Sequence, residues 1–356
     1  MVQGSGRKEA KGSMEPIRLE TNKKPGVCYV QTVERIELPV IDVTHPAFAI
    51  SEPGATELEA MLKKSEADGA NFNRMPAFLR KIFLWIFSRQ SILMRGLIGS
   101  SGTYLSGLNT YLLKLGPDNL GTIYMKPMDK VIAASLPVLS TRLRLQDMAQ
   151  MSAQAIIPVL EQRPDIPLHL INIAGGPCSD SLNILILLRK QNLELLKNRD
   201  IKIHVFDLES AAPTFAKNAL NALQVPRGPL SGLNAALEYT PYNWCIARDL
   251  RDKLVDLSLQ QSVMLVTAEG GLFDYGSTED IAVNLKVLST HTPSDTVLTG
   301  TFTPPHRLGE GFGKVGGAVT VARSLNDFSN LVRKNGWIIE ESRDRMINYV
   351  VRMRKN

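Results

Sequence analysis

Residues 168–190 read LHLINIAGGPCSDSLNILILLRK: an apolar strand-like run stops at a glycine turn, Ala174-Gly175-Gly176-Pro177, and passes directly into a helical pattern. Gly175 and Gly176 carry no side chains, so such a turn presents backbone N–H groups and lets another molecule approach the main chain closely. A nucleotide-like ligand is the natural occupant. A tight strand-to-helix connection without a ligand is the plainer alternative.

Working outward, the next strand candidate, Ile201 to Phe206, ends in Asp207, followed by Leu208 and Glu209. At the tip of the second strand of a doubly wound sheet, an acid is placed to accept hydrogen bonds from ribose hydroxyls. A helix cap or a solvated turn residue is the competing reading of Asp207 alone. Further strand candidates at Ala235 to Thr240, Val263 to Ala268 and Asp295 to Phe302 alternate with helical stretches, the pattern of βαβ units and a parallel sheet. The end reads as a helix (Ser324 to Lys334), an Asn335-Gly336 turn, a strand (Trp337 to Glu341), a charged connection and a strand (Met346 to Met353). The expected fold class is therefore α/β: a Rossmann-like, doubly wound, mostly parallel sheet with a C-terminal antiparallel strand pair and a mainly helical N-terminal cap.

Residues 1–13 are small, polar and basic and are expected to be a disordered or appended leader. Residues 14–134 read as the cap region. A short Val/Ile-rich stretch from Val27 to Val43 precedes amphipathic spacing from Thr56 to Asp68 and helix signals from Pro76 to Ile98. A flexible break (GSSGTYLSG, 99–107) then leads to an apolar helix over Leu108 to Leu115 with a Gly116-Pro117 stop. Residues 135–356 read as the ligand-binding domain, opened by a long helix that places Leu145, Met148, Met151 and Ala155 on one face.

The chain has 356 residues, 44% hydrophobic and 21% charged, a globular balance that excludes fibres and wholesale disorder. Its net charge of +6 includes Arg7, Lys8 and Lys11 of the leader, and no block of like charge or aromatic-interleaved stripe marks a nucleic-acid partner. Cys28, Cys178 and Cys245 form neither an even disulfide set nor a CxxC pair, and the five histidines are scattered, so no metal site is expected. No apolar run approaches the roughly 20 residues of a membrane span. A reducing, cytoplasmic setting is the default expectation, and nothing in the sequence specifies an oligomeric state.

The order AGGPC (174–178), Asp207, AEGGLFDYG (268–276) and Gly336-Trp337 with its closing strand pair resembles the class I S-adenosylmethionine-dependent methyltransferases from about Arg142 to the C terminus. The resemblance implies S-adenosylmethionine as cofactor, S-adenosylhomocysteine as product and methyl transfer to a small-molecule acceptor on oxygen or nitrogen. It implies that Ala174, Gly175, Gly176 and Pro177 contact the methionine part, that Asp207 with Leu208 holds the ribose, and that Tyr242, Asn243 and Trp244 receive the adenine. Glu269 and Gly270 would border the methyl group, with Phe273 and Tyr275 in the substrate wall. Arg142 or Arg144 would clamp the cofactor carboxylate. Where the family often shows Asp-x-Gly-x-Gly-x-Gly, this chain has Asn172, Ala174, Gly176 and Cys178. Cys178 reads as a buried thiol, Asp274 as exposed, and Ser277 or Thr278 as a helix N-cap with Asp280 in the first turn.

The fifth strand candidate leads into TFTPPHRLGEGFGKVGG, a long loop at the ligand edge. His306 there is the candidate general base and Arg307 the candidate orienting cation for an anionic substrate, with plain solvation as the alternative. Two other readings stay open. A nicotinamide-dependent oxidoreductase shares the strand, turn and acid, although G-x-G-x-x-G is absent and Asp207 follows Ala174 by 33 positions (207 − 174) rather than roughly 20. A non-catalytic cofactor-binding protein is the other.

Overall fold

The computed structural model describes residues 18–98, 105–124, 126–305, 320–345 and 347–356. Two short strands, β1 (Tyr29–Gln31) and β2 (Glu37–Pro39), pair antiparallel ahead of the helices α1 (Ala55–Arg74), α2 (Ala77–Gln90), α3 (Ile92–Ile98), α4 (Gly107–Leu115) and α5 (Pro127–Ala133). The helical signal from Pro76 to Ile98 divides into α2 and α3 at Ser91. This residue is buried with extended backbone, and its hydroxyl donates to Asp129 Oδ1 at 2.5 Å while accepting from the Met94 N–H at 2.9 Å. A side chain that satisfies the first turn of the next helix makes such a break inexpensive.

The long α6 (Leu136–Gln162) leads into a seven-stranded sheet. Its strands are β3 (Leu168–Ile173), β4 (Ile201–Asp207), β5 (Ala235–Pro241), β6 (Val263–Ala268), β7 (Val297–Phe302), β8 (Trp337–Arg345) and β9 (Asn348–Lys355), in the spatial order β5-β4-β3-β6-β7-β9-β8. The five strands β3 to β7 are mutually parallel, and β9 runs antiparallel between β7 and β8. The helices α7 (Ser179–Gln191), α8 (Ala211–Leu223), α9 (Arg248–Ser258), α10 (Leu272–Tyr275), α11 (Thr278–His291) and α12 (Leu325–Lys334) connect them. β3 and β6 are buried at every position, as strands covered on both faces must be.

The charged connection expected after Glu341 continues instead as strand to Arg345. β8 is the edge strand, so its alternate side chains meet water, and Arg343 and Arg345 turn back to Asp147 of α6, Arg343 at 3.0 Å. One sheet face packs Leu168, Leu170, Ile203 and Val205 in the same core as Leu38, Tyr111 and Leu115 of the front segment. The other face packs Ile171, Phe206 and Val266 with Leu250, Leu285 and Phe328 of the C-terminal helices. The front segment is pinned by polar contacts too: the Tyr111 hydroxyl donates to the Pro39 carbonyl at 2.6 Å, and Asn183 of α7 donates to the Ile41 carbonyl at 3.0 Å. Each fully buried aliphatic side chain contributes about 1.5–3 kcal/mol, so this docking is part of the core.

Candidate active site

From β3 the chain winds toward β5, and from β6 toward β7, so the two halves part at the carboxyl ends of β3 and β6. That divergence opens the crevice where open α/β sheets bind ligands. The turn 174–178, Asp207 and residues 269–275 all lie along this edge.

The turn after β3 has left-handed backbone at Ala174 (φ 53°), Gly176 (φ 50°) and Cys178 (φ 52°). For Ala and Cys this costs on the order of 1 kcal/mol each, so the surroundings must enforce it. The Ala174 N–H donates to the Phe206 carbonyl at 2.7 Å and the Gly176 N–H to Asp207 Oδ2 at 3.0 Å. Asp207 Oδ1 accepts from the Glu209 N–H at 3.0 Å. Burial raises the Asp207 pKa, opposed by these backbone donors. Cys178 is fully buried and its thiol is pushed well up by burial, which leaves it without nucleophilic character at neutral pH.

Asn172 stands at the end of β3, where the resembling family places an acid, and its amide donates to Asp180 Oδ1 at 2.8 Å and to Thr267 Oγ1 at 3.1 Å. Asp180, which accepts the first of these bonds, lies in the first turn of α7. Asp180 is fully buried and its pKa is pushed up to about 6, chiefly by burial and then by the charge of Glu269.

Gly175, Gly176 and Pro177 are themselves buried, beneath the first turn of α4. A β-carbon on Gly107 would stand 2.8 Å from Ala212 Cβ, 3.1 Å from Gly176 Cα and 3.2 Å from Pro177 Cδ, so only glycine fits this approach. Two turns on, Lys114 Nζ lies 2.7 Å from Glu269 Oε2, with both side chains almost wholly buried. Arg144 of α6 completes the cluster, with Nε 3.3 Å from Glu269 Oε1 and Nη1 3.5 Å from Asp274 Oδ2. Its guanidinium lies over the backbone of Gly270, which has φ 68°.

Several sequence expectations change here. Asp274 is buried, not exposed, because Arg144 and the Thr303 hydroxyl, at 3.0 Å, take it inward; burial nevertheless raises its pKa. Phe273 is core rather than pocket wall, packed edge-on to Phe328 with ring centroids 5.1 Å apart. Arg142 packs against Gly116 beyond the C-terminal end of α4, while Arg144, two residues on and so on another helix face, is the cation in the crevice. The Tyr275 hydroxyl accepts from the Leu105 backbone just ahead of α4, and burial pushes its pKa up to about 12. Tyr242 is buried in the core against Phe206, its hydroxyl donating to Asn284 Oδ1 at 2.5 Å. Asn243 is exposed and Trp244 half-exposed, and Leu208 is 53% exposed beside Asp207. Ser277 caps α11 in a full capping box with Asp280, as its spacing implies.

His306 and Arg307 lie outside the described residues. His169 and His204 are sheet residues distant from the crevice edge, their Nδ1 and Nε2 atoms 2.9 Å apart. Among the described residues no cluster of His, Cys, Asp and Glu forms a metal site. Gly107 and Lys114 were not singled out by the sequence. The available signal was Lys114 itself, the one charge in the apolar run Leu108 to Leu115.

The chain matches no family model and no curated protein. Among solved structures it is similar to a possible exported protein from Bordetella parapertussis, at 16% identity and TM-score 0.53, over 86% of this chain and 99% of that one. The strand order, with one antiparallel strand inserted between the last two, decides the fold. It is a Rossmann-like α/β fold, a mostly parallel sheet closed by an antiparallel C-terminal pair, as the sequence led us to expect. Weaker likenesses include magnesium protoporphyrin IX methyltransferase from Synechocystis with S-adenosylhomocysteine bound (14% identity, 63% of this chain and 89% of that one, TM-score 0.40). Another is an S-adenosylmethionine-dependent methyltransferase from Clostridium acetobutylicum (10% identity, 58% and 92%, TM-score 0.37).

Proposed function

We propose that the protein binds S-adenosylmethionine in this crevice and transfers its methyl group to the oxygen or nitrogen of a small organic acceptor. The observation that carries the reading is Asp207, held over the glycine turn at the switch point with Oδ2 3.0 Å from the Gly176 N–H. The residues fit the nucleoside end: the Asp207 carboxylate has acceptor capacity for two ribose hydroxyls, and Asn243 and Trp244 offer an amide and an aromatic face to a purine. At the other end Gly107 stands against Gly176, so the reading requires the first turn of α4 to withdraw as the amino-acid end enters. Lys114 and Arg144, both paired with Glu269 in the closed arrangement, are then the cations that would turn to a carboxylate.

The bound sulfonium supplies an electrophilic methyl group. The chain's own work is to hold the acceptor in line with it and keep water out. Tyr275 and α4 are the elements suited to that enclosure. His306 is proposed to take the acceptor's proton, and Arg307 to orient an anionic acceptor. A dinucleotide oxidoreductase is disfavoured, since its fold carries the G-x-G-x-x-G turn that this chain lacks. The non-catalytic reading keeps one observation in its favour, the burial of Gly175 to Pro177 beneath α4.

Calorimetric titration with S-adenosylmethionine, S-adenosylhomocysteine and NAD tests the proposal. Saturable binding of the two adenosyl ligands supports it, and binding of NAD alone overturns it. Turnover of small hydroxyl and amine acceptors then separates enzyme from binder, and unchanged turnover in His306→Ala removes that residue from the mechanism.

A further inference from the structure

The helix α2 reads AFLRKIFLWIFSRQ, and not one of its fourteen residues is buried. Phe83, Leu84 and Phe87 are half-buried on the side facing the molecule, where Phe83 meets Phe72 of α1 with ring centroids 5.9 Å apart. The opposite side should be polar in a surface helix. It instead exposes Phe78, Leu79, Ile82, Trp85 and Ile86, from 39% for Ile86 to 63% for Phe78. Five large apolar side chains on one face exceed the scattered exposure of ordinary surfaces and mark a contact site.

The charges of α2 and of the chain around it in sequence share one sign, the acids of α1 lying no nearer than Asp68. From Gly69 to Pro117 the chain has no Asp or Glu, and its cations are Arg74, Arg80, Lys81, Arg89, Arg95 and Lys114. Lys114 is consumed in the buried pair with Glu269. Lys81 and Arg89 are exposed, and the Arg89 guanidinium lies 4.0 Å from the centre of the Trp85 ring. Arg95 and Lys126 gather at the C-terminal end of α2, donating to the Ser88 and Arg89 carbonyls at 3.4 and 3.0 Å. Beside them α5 exposes Lys130 and Val131, and its one acid, Asp129, is buried against Ser91 and Leu93.

We propose that α2 docks the protein on the surface of an anionic phospholipid bilayer, lying in the interface with its apolar face among the acyl chains. Lysines and arginines beside Trp and Phe are the side-chain set that such helices use. A second copy of this chain is the weaker occupant, because a two-fold contact sets the same patch against itself and brings like cations together. No helix among the described residues is long and apolar enough to cross a membrane, so the contact is superficial.

The test is co-sedimentation of the full chain with vesicles of phosphatidylcholine, or of phosphatidylcholine with about a quarter phosphatidylserine, read together with sedimentation velocity of the protein alone. The expected result is binding to the serine-containing vesicles only, weakened by salt, with a blue shift of tryptophan emission that Trp85→Phe removes. Lys81→Glu with Arg89→Glu should lower partitioning at least about ten-fold, as should Ile82→Ser with Trp85→Ser. These side chains are exposed, so circular dichroism and Tm should match the parent. Absence of vesicle binding, or binding that neither double variant weakens, overturns the proposal. So does a dimer in solution that Ile82→Ser with Trp85→Ser dissociates while vesicle binding persists.

Discussion

The two ends of the crevice are built from the same sheet edge but are in opposite states. At the Asp207 end the carboxylate is fixed by the Gly176 and Glu209 N–H groups, and its neighbours Leu208 and Asn243 face solvent. At the glycine-turn end the main chain is covered by Gly107, and the Lys114–Glu269–Arg144 cluster is packed behind it. One end is open to solvent; the other is filled by the protein's own α4. A ligand spanning both must therefore gain enough at the first end to displace α4 from the second, which is a closed-to-open equilibrium biased by binding.

The largest expected effect breaks the solvent-facing end. Asp207→Ala removes two charge-assisted acceptors and should weaken binding of S-adenosylhomocysteine about 100-fold, the value of roughly 2.7 kcal/mol. Titration calorimetry reads it, and an affinity within a few-fold of the parent would show that the ligand does not use this carboxylate. The second effect breaks the filled end. Lys114→Met leaves Glu269 buried with Arg144 alone, and chemical denaturation should show a loss of about 3 kcal/mol, near the lower bound for unpairing a buried charge. A loss below about 0.5 kcal/mol, the range of ordinary surface substitutions, would mean that α4 is not held by this pair.

The same contrast governs what was legible in the sequence. β3 and β6 could be read to the residue because a strand buried on both faces is a continuous apolar run, and the turns that end it carry glycine. Asp207 was legible because its position is set by the strand before it. The filled end depends on contacts that sequence spacing does not carry: Lys114 and Glu269 are 155 positions apart, and Asp274 turns inward to Arg144, 130 positions earlier, and to the Thr303 hydroxyl. Local polarity predicts exposure for such residues, and tertiary pairing reverses it. β8 ran past its expected end for a related reason, since an edge strand tolerates the charges that read as a loop. The β1–β2 pair ahead of the cap helices showed only as a Val/Ile-rich stretch, its strands being three residues each.

A milder change sharpens the equilibrium. Gly107→Ala puts a β-carbon where Ala212, Gly176 and Pro177 leave no room, so the closed arrangement should lose on the order of 1 kcal/mol while the open one is unaffected. Affinity for S-adenosylhomocysteine should then rise about five-fold, because less of the binding energy goes into opening. An affinity that stays constant or falls would show that α4 does not compete with the ligand.

The last expected effect is a pH dependence in which opposing titrations partly cancel in the parent protein. Asp180, beneath the glycine turn, has a folded pKa near 6 against 3.8 for the free group. Its folded form holds the proton longer, so its stabilising contribution is complete below 3.8 and is lost as pH rises through about 6. His169 and His204 do the reverse. Burial lowers them to about 4 and about 3 from 6.5, with Lys202 and Lys253 opposing their charge and Glu238 favouring it. Their neutral forms favour the fold above 6.5, and that contribution is lost as pH falls toward 4. The windows overlap with opposite signs. Calorimetric Tm compared between pH 4.5 and 6.5 should therefore rise more steeply with pH in Asp180→Asn than in the parent. It should rise less steeply when both histidines are replaced by leucine. Identical slopes in all three proteins would place neither titration in the folded core.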